Sequence, residues 1–202
     1  MSAARQPVLI VIAGPNGSGK TTVTQQILRH EWMEGAIYIN PDQIAQDKFG
    51  DWNSEEAVRQ SIHYCEELRE QCIRERQSLI FETVLSRGDK VEYIEKAKKA
   101  GFFVRLFFVC TASPIINAAR IAKRVMEGGH NVPIPKIGSR YQASIANCCI
   151  AAGIADRCYV YDNSEEGCAP RLLFRTADGA LAKTYVPQIP EWAEFIHRAV
   201  AL

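Results

Sequence analysis

The feature that most constrains this chain is the junction between residues 8 and 21. Val8-Leu9-Ile10-Val11-Ile12-Ala13 is an unbroken, β-branched-rich apolar run without polar alternation, the pattern of a central parallel strand buried on both faces. It breaks into Gly14-Pro15-Asn16-Gly17-Ser18-Gly19-Lys20-Thr21. That octet fits G-x-x-x-x-G-K-[ST], and a helix is read immediately after it over Lys20 to His30. Glycines there let successive backbone N–H groups turn toward a phosphate chain, and the helix N-terminus adds its positive end. Lys20 can then reach the terminal phosphates and the Thr21 hydroxyl can ligate Mg²⁺. Thr22 is either a further nucleotide contact or a first-turn helix residue.

Further short apolar runs, Ala36 to Ile39, Ser78 to Phe81, Phe102 to Val109 and Cys158 to Tyr161, read as strands. Helical spacing fills the intervals at Asn53 to about Gln77, Asp89 to Ala100, Pro114 to Glu127 and Lys136 to Ala152. Asn53 is read as the first of these helices' N-cap with Glu56 at the third helical position, and Ser113-Pro114 as a cap followed by a first-turn proline. Gly101 and Gly128-Gly129 close the next two helices. This alternation predicts an α/β fold, three layers α/β/α with a mostly parallel central sheet. Arg171 to Thr176 and Leu181 to Val186 flank Asp178-Gly179, a hairpin signal, ahead of a terminal helix at Glu191 to Ala201. One domain is expected over 1–202, with a helical lid at about 113–152 and the hairpin and last helix at about 170–202.

Composition narrows the partners. Hydrophobic residues make up 47% and charged ones 23% of the 202 residues, which excludes a disordered chain. A net charge of +1 lacks the basic field of a dedicated nucleic-acid or membrane-surface binder. The positive charge is local: Arg120, Lys123, Arg124, Lys136 and Arg140 share the span Ser113 to Arg140 with one anion, Glu127. Seven cysteines, odd in number and without C-x-x-C spacing, read as reduced core thiols rather than a disulfide framework or zinc site. With no apolar run of membrane-spanning length and no signal peptide, a cytoplasmic location is expected.

Four groups of residues carry candidate chemistry. Asp42 follows the second strand, and the carboxyl ends of parallel strands form the ligand crevice. Its carboxylate can serve as a general base toward an acceptor hydroxyl, or merely cap a short helix Gln43 to Asp47. Glu82-Thr83 closes the third strand, suited to holding acceptor hydroxyls or to orienting Mg²⁺ through water, or else to facing solvent. Arg120 and Arg124 lie four apart on one helix face, and Arg140 sits on the next helix beyond Gly128-Gly129-His130-Asn131-Val132-Pro133. Such a lid would stabilise charge on a transferred phosphoryl group; the alternative is a solvated basic face, the reading preferred for Lys123 and Lys136. His130 is a substrate contact or a helix C-terminal cap.

Taken in order, Gly14 to Thr22, Asn40-Pro41-Asp42, Phe81-Glu82-Thr83 and Arg124-Val125-Met126-Glu127-Gly128-Gly129-His130-Asn131-Val132-Pro133, with Arg140-Tyr141 behind, resemble the zeta toxin family of P-loop small-molecule kinases. The resemblance runs from about Val8 to Asn163. It implies a P-loop, nucleoside-kinase-like fold and ATP- and Mg²⁺-dependent phosphorylation of a sugar-nucleotide hydroxyl, UDP-N-acetylglucosamine being the family's acceptor. An antitoxin protein is a partner in some members. On that basis Gly14 to Thr22 hold the nucleotide, Asp42 is the base, Glu82 and Thr83 hold acceptor hydroxyls, and the lid arginines clamp the γ-phosphate. Asp162-Asn163-Ser164 resembles the family's loop near the adenine. Two other readings stay open: a kinase acting on a nucleoside, an antibiotic, a dinucleotide or a nucleic-acid 5′ end, and a non-catalytic module whose P-loop binds nucleotide to order a partner surface. The balanced charge speaks against a long nucleic acid as acceptor.

Overall fold

In the computed structural model, described over residues 6–27, 29–30, 35–50, 54–128 and 132–201, β1 (Val8–Ala13) lies between two parallel neighbours, β3 (Leu79–Thr83) and β4 (Phe103–Cys110). That position explains its lack of alternation, since side chains of both parities are buried,. β2 (Ile37–Ile39) pairs parallel with β3, and β5 (Arg157–Asp162) parallel with β4. The hairpin β6 (Arg171–Ala177) and β7 (Ala180–Thr184) extends the sheet antiparallel, giving the order β2-β3-β1-β4-β5-β6-β7. The mostly parallel α/β architecture expected from the alternation is therefore present. At the hairpin tip, Asp178 and Gly179 both take positive φ, 52° and 82°, the two-residue turn whose twist suits the flanking strands.

The helices are α1 (Lys20–Ile27), α2 (Pro41–Phe49), α3 (Glu55–Arg74), α4 (Asp89–Lys99), α5 (Pro114–Met126), α6 (Ile134–Ile154) and α7 (Glu191–Val200). Two caps differ from the sequence reading. Ser54 rather than Asn53 caps α3, its hydroxyl accepting from Ala57 N–H, so Glu56 is the second helical residue; Asn53 itself lies outside the described residues. Asn40 rather than Asp42 caps α2: the Asn40 side chain accepts from the N–H groups of Asp42 (3.0 Å) and Gln43 (3.4 Å), and Pro41 opens the helix. One such cap stabilises a helix by roughly 1 kcal/mol. It also releases the Asp42 carboxylate from structural duty. Ser113 caps α5 as read, with its side chain accepting from Ile115 N–H.

Core packing is lopsided. Side chains from α3, α4, α6 and α7 join Leu9, Val11, Phe81, Leu106 and Phe108 in one large cluster on one sheet face. On the other face, among the described residues, α1 alone supplies buried helix side chains, Val23 and Ile27, against Ile10, Ile12, Ile80, Phe107 and Val109. The cysteines are free as expected. Burial pushes the Cys65 thiol up to about 11 and Cys110 up to about 12, which leaves them protonated and unreactive. No helix among the described residues is long and apolar enough to cross a membrane.

Candidate active site

The carboxyl ends of β1, β2 and β3 open into a cleft of about 610 Å³, walled by α2 and α3 on one side and by α5 and α6 on the other. At its base the turn after β1 is wound on three glycines with positive φ: Gly14 (149°), Gly17 (77°) and Gly19 (88°). The space beside each is taken. A Cβ on Gly14 would lie 2.0 Å from Val109 O, one on Gly17 2.6 Å from Asn117 O, and one on Gly19 2.1 Å from Asn163 Nδ2. Among the described residues the N–H groups of Gly17 and Gly19 donate to no acceptor, and those of the first turn of α1 are orphaned by helix geometry. The Ser18 hydroxyl is fully buried without a hydrogen-bond partner. A cradle of free N–H donors at a helix N-terminus fits a polyphosphate.

Lys20 occupies this cradle itself. Its ammonium donates to Gly14 O (2.8 Å) and Pro15 O (3.1 Å). Desolvation pulls its pKa down to about 8; the carboxylates of Glu82 and Asp42 oppose the shift, and the Arg124 guanidinium adds to it. In an ATP complex the triphosphate favours the charged ammonium and lifts that value again. ATP binding at about pH 8.5 should therefore take up a fraction of a proton, and affinity should weaken as pH climbs above about 8, since the free protein must first be reprotonated. Titration calorimetry in two buffers of different ionisation enthalpy reads this directly. Uptake must disappear near pH 6.5, where Lys20 is charged in both states; buffer-independent heat at the higher pH rejects the assignment.

Glu82 closes β3 directly beside β1, opposite Ile12. Its Oε1 accepts from the Thr24 hydroxyl of α1 (2.9 Å) and the Tyr38 hydroxyl of β2 (2.6 Å), and Asn40 Nδ2 donates to that tyrosine oxygen (2.9 Å). Burial and the Glu82 carboxylate drive the Tyr38 pKa upward, so the phenol stays a donor. One chain of hydrogen bonds thus fixes Glu82, leaves its Oε2 for another partner, and ends at the cap that positions Asp42. Asp42 is exposed at the cleft wall, and its carboxylate is paired with no described residue. Thr83 bends the chain after the strand, its hydroxyl accepting from Leu85 N–H (3.0 Å), and it also lines the cleft.

Arg120, Arg124 and Arg140 all line the cleft with Lys20 and Asp42. Two of them are engaged with the nucleotide-side loops: Arg120 Nη1 donates to Asn163 O (2.8 Å) and Arg140 Nη1 to Asn16 Oδ1 (3.3 Å). Lys123 is exposed and faces Glu166 at 3.6 Å, and Lys136 is exposed. Thr21 lines the cleft, whereas the exposed Thr22 does not. His130, with Gly129 and Asn131, lies outside the described residues. The sequence reading gives no part to Thr24, Tyr38 or Asn117, quotes Asn40 only within Asn40-Pro41-Asp42, and gives Asn163 little part. Asn117 donates to Asn16 O (2.7 Å) and accepts from the Thr111 hydroxyl, and Asn163 Nδ2 donates to Ser18 O (2.8 Å). The usable signal for Asn117 is a polar residue four positions before Ile121 on the buried face of α5; for Tyr38 there is none.

Solved structures share this architecture. Over 96% of this chain, and 64% of the other, it superposes on a chain of the AvrRxo1-ORF1:-ORF2 structure with ATP, with a TM-score of 0.68 at 20% identity. This chain thus spans just under two thirds of that protein's length. The PezAT toxin–antitoxin system of Streptococcus pneumoniae gives a TM-score of 0.59 at 17% identity, over 98% of this chain and 80% of that one. In sequence, an uncharacterised protein of Haemophilus influenzae is 27% identical over 139 residues, 65% of this chain and 91% of its own length. The zeta toxin family model matches residues 1–169. The glycine turn after β1, Asp42 at the start of α2, Glu82 near the end of β3 and the arginine-bearing helices α5 and α6 fall within one matched stretch, and the chain belongs to the zeta toxin family.

Proposed function

We propose that the protein is an ATP- and Mg²⁺-dependent kinase that moves the γ-phosphoryl group of ATP to a hydroxyl of a small acceptor, a sugar nucleotide such as UDP-N-acetylglucosamine. The observation that carries the reading is the placement of Asp42, whose carboxylate pairs with no described residue, in one cleft with Lys20 and three arginines. Acceptor oxygen and γ-phosphoryl have to meet between those groups. The glycine cradle and the N-terminus of α1 hold the phosphates, and Lys20 leaves the carbonyls of Gly14 and Pro15 to meet them,. Asp42 accepts the proton of the acceptor hydroxyl as the new P–O bond forms and the bond to the ADP oxygen breaks. Arg124 and Arg140, with Arg120 braced on Asn163, form a lid that meets the charge on the phosphoryl oxygens.

Mg²⁺, when bound, would offset the negative charge that develops on the transferred phosphoryl group. Thr21 Oγ1 and, through water, Glu82 Oε2 are the groups suited to hold it, in keeping with a cation that keeps most of its waters and takes few protein ligands. Val84 to Arg87, with Ile62 and Arg69 of α3, also line the cleft and are walls available to the acceptor. The family supports an antitoxin as partner, and buried reduced thiols suit a cytoplasmic protein.

The test is direct. Protein, ATP, Mg²⁺ and UDP-N-acetylglucosamine are incubated and the sugar nucleotide is weighed by mass spectrometry, with a gain of about 80 Da, one phosphoryl group, as the expected result. An unmodified sugar nucleotide with ATP still bound removes that acceptor. ATP turnover or binding absent altogether removes the kinase reading.

A further inference from the structure

Among the described residues Arg69 is the one charged residue that is buried. It lies on α3 with 6% of its side chain exposed, a degree of burial that costs free energy unless something answers the charge. Its Cζ stands over the Phe81 ring of β3 at 5.3 Å and the Tyr93 ring of α4 at 5.7 Å. Those rings attract the cation but offer its five N–H groups no oxygen. Among the described residues the guanidinium donates no hydrogen bond. The nearest carboxylate, Glu66, stands 4.0 Å away and is shared with Lys90 at 3.7 Å. The backbone beneath is clamped, since the Tyr93 hydroxyl donates to Arg69 O at 2.8 Å.

Arg69 lines two cavities. One, of about 370 Å³, carries four carboxylates, Glu66, Glu70, Asp89 and Glu92, against Arg69, Lys90 and Lys96. The other is the cleft, which seven cations line against four carboxylates. An anion is therefore drawn to Arg69 from the cleft. There Lys90 and Arg87 answer Asp89 at 2.9 and 3.8 Å. Three cations, Arg69, Arg87 and Lys90, thus share two carboxylates, Glu66 and Asp89, and one positive charge is left over. The proposed base is close by: the Cys65 thiol, one turn before Arg69 on α3, feels the charges of both Arg69 and Asp42.

We propose that Arg69 receives an oxyanion of the acceptor, a phosphate or a carboxylate, and so selects an anionic acceptor over an uncharged one. This gives the acceptor a chemical class and rests on the kinase reading of the cleft. A planar fork held in one place meets two oxygens of an oxyanion at once, and a site shielded from water strengthens that contact. ATP has no need of Arg69, because the glycine cradle, Lys20 and the three arginines of α5 and α6 already meet the triphosphate. Packing has no need of it either. An apolar side chain of similar size in place of a loosely paired buried charge is often neutral or stabilising.

Two probes, inorganic pyrophosphate and malonate, are titrated calorimetrically into the protein saturated with Mg²⁺ and a non-hydrolysable ATP analogue, which occupies the cradle and its cations. Saturable binding of at least one probe is expected. Affinity should fall about tenfold or more in Arg69→Met and less in Arg69→Lys, which keeps the charge and loses the fork, while affinity for the ATP analogue stays the same. Glu66→Gln, at a half-exposed position, removes the carboxylate nearest the fork and should tighten probe binding severalfold; it decides the matter should Arg69→Met not fold. Tighter pyrophosphate identifies a phosphate-bearing acceptor such as a sugar nucleotide, and tighter malonate a hydroxy acid. Failure of both probes to bind, binding indifferent to Arg69→Met, or binding unmoved or weakened by Glu66→Gln overturns the proposal. None of these readouts needs turnover, so a failure of Arg69 is told apart from a failure of phosphoryl transfer.

Discussion

Asp42→Asn should lower the rate of phosphoryl transfer by about 10²- to 10⁴-fold, the usual contribution of a positioned general base, while ATP affinity is kept. The substitution is nearly isosteric, and nothing structural depends on the carboxylate. The α2 cap is the Asn40 side chain, reaching the Asp42 backbone N–H rather than the Asp42 oxygens, so the helix and its entry proline stay as they are. Losing a negative charge from the cleft wall also removes a repulsion toward the triphosphate, so ATP should bind as well as or slightly better than before. Single-turnover transfer with calorimetric ATP binding separates the two effects. Full-rate transfer by the variant would dismiss Asp42 as base, and Glu82, with one oxygen still free, would be the carboxylate to examine next. A joint fall in ATP affinity and rate would mean instead that Asp42 belongs to the nucleotide site.

Asp42 also marks how far the sequence carries. Its place after β2 and its role as candidate base were legible because a strand, a turn and a helix start are written in consecutive residues. The glycine cradle, the Ser113 cap and the Asp178-Gly179 turn were legible for the same reason. Which residue caps α2 was not, since Asn40 and Asp42 both carry a cap-competent oxygen and only the geometry of Pro41 at the first helical position chooses between them,. Ser54 over Asn53 is a choice of the same kind. The interactions that fix the site lay further out of reach. Tyr38 and Thr24 meet Glu82 across 44 and 58 residues, Asn117 meets Asn16 across 101, and Asn163 meets Ser18 across 145. Each depends on the strand order, which places β3 between β1 and β2 and β4 between β1 and β5, and no local pattern encodes that order. The arginines illustrate the limit: helical spacing put Arg120 and Arg124 on one face, but that Arg120 is held by the Asn163 carbonyl follows only from the approach of α5 to the end of β5.

Gly14→Ala should be the most damaging single change to the fold and the site together. Gly14 sits at φ +149°, a region that residues with a Cβ rarely enter, at about 1–3 kcal/mol of strain. Its new Cβ would also stand 2.0 Å from Val109 O and 2.9 Å from Ser18 Oγ. The first of these is backbone of β4, tied to β1 through the register Ala13↔Phe108, so relief requires parting the two central strands or unwinding the loop. A loss of about 3–5 kcal/mol is expected, at the severe end for a single substitution, with ATP binding lost outright. Gly50→Ala is the matched control. Its φ is +77° but nothing lies within 4 Å of the added Cβ, so it carries the conformational strain alone, about 1 kcal/mol. Urea midpoints for the two variants therefore isolate the steric part, and equal midpoints would refute the close approach of the loop to β4. Gly17→Ala separates loop from sheet: its Cβ meets Asn117 O at 2.6 Å, backbone of α5 rather than of a strand. It should spare the sheet, push α5 away from the cradle, and reduce transfer by weakening the arginine contacts that α5 carries, at a stability cost above the ~1 kcal/mol of strain expected for Gly50→Ala and below that of Gly14→Ala.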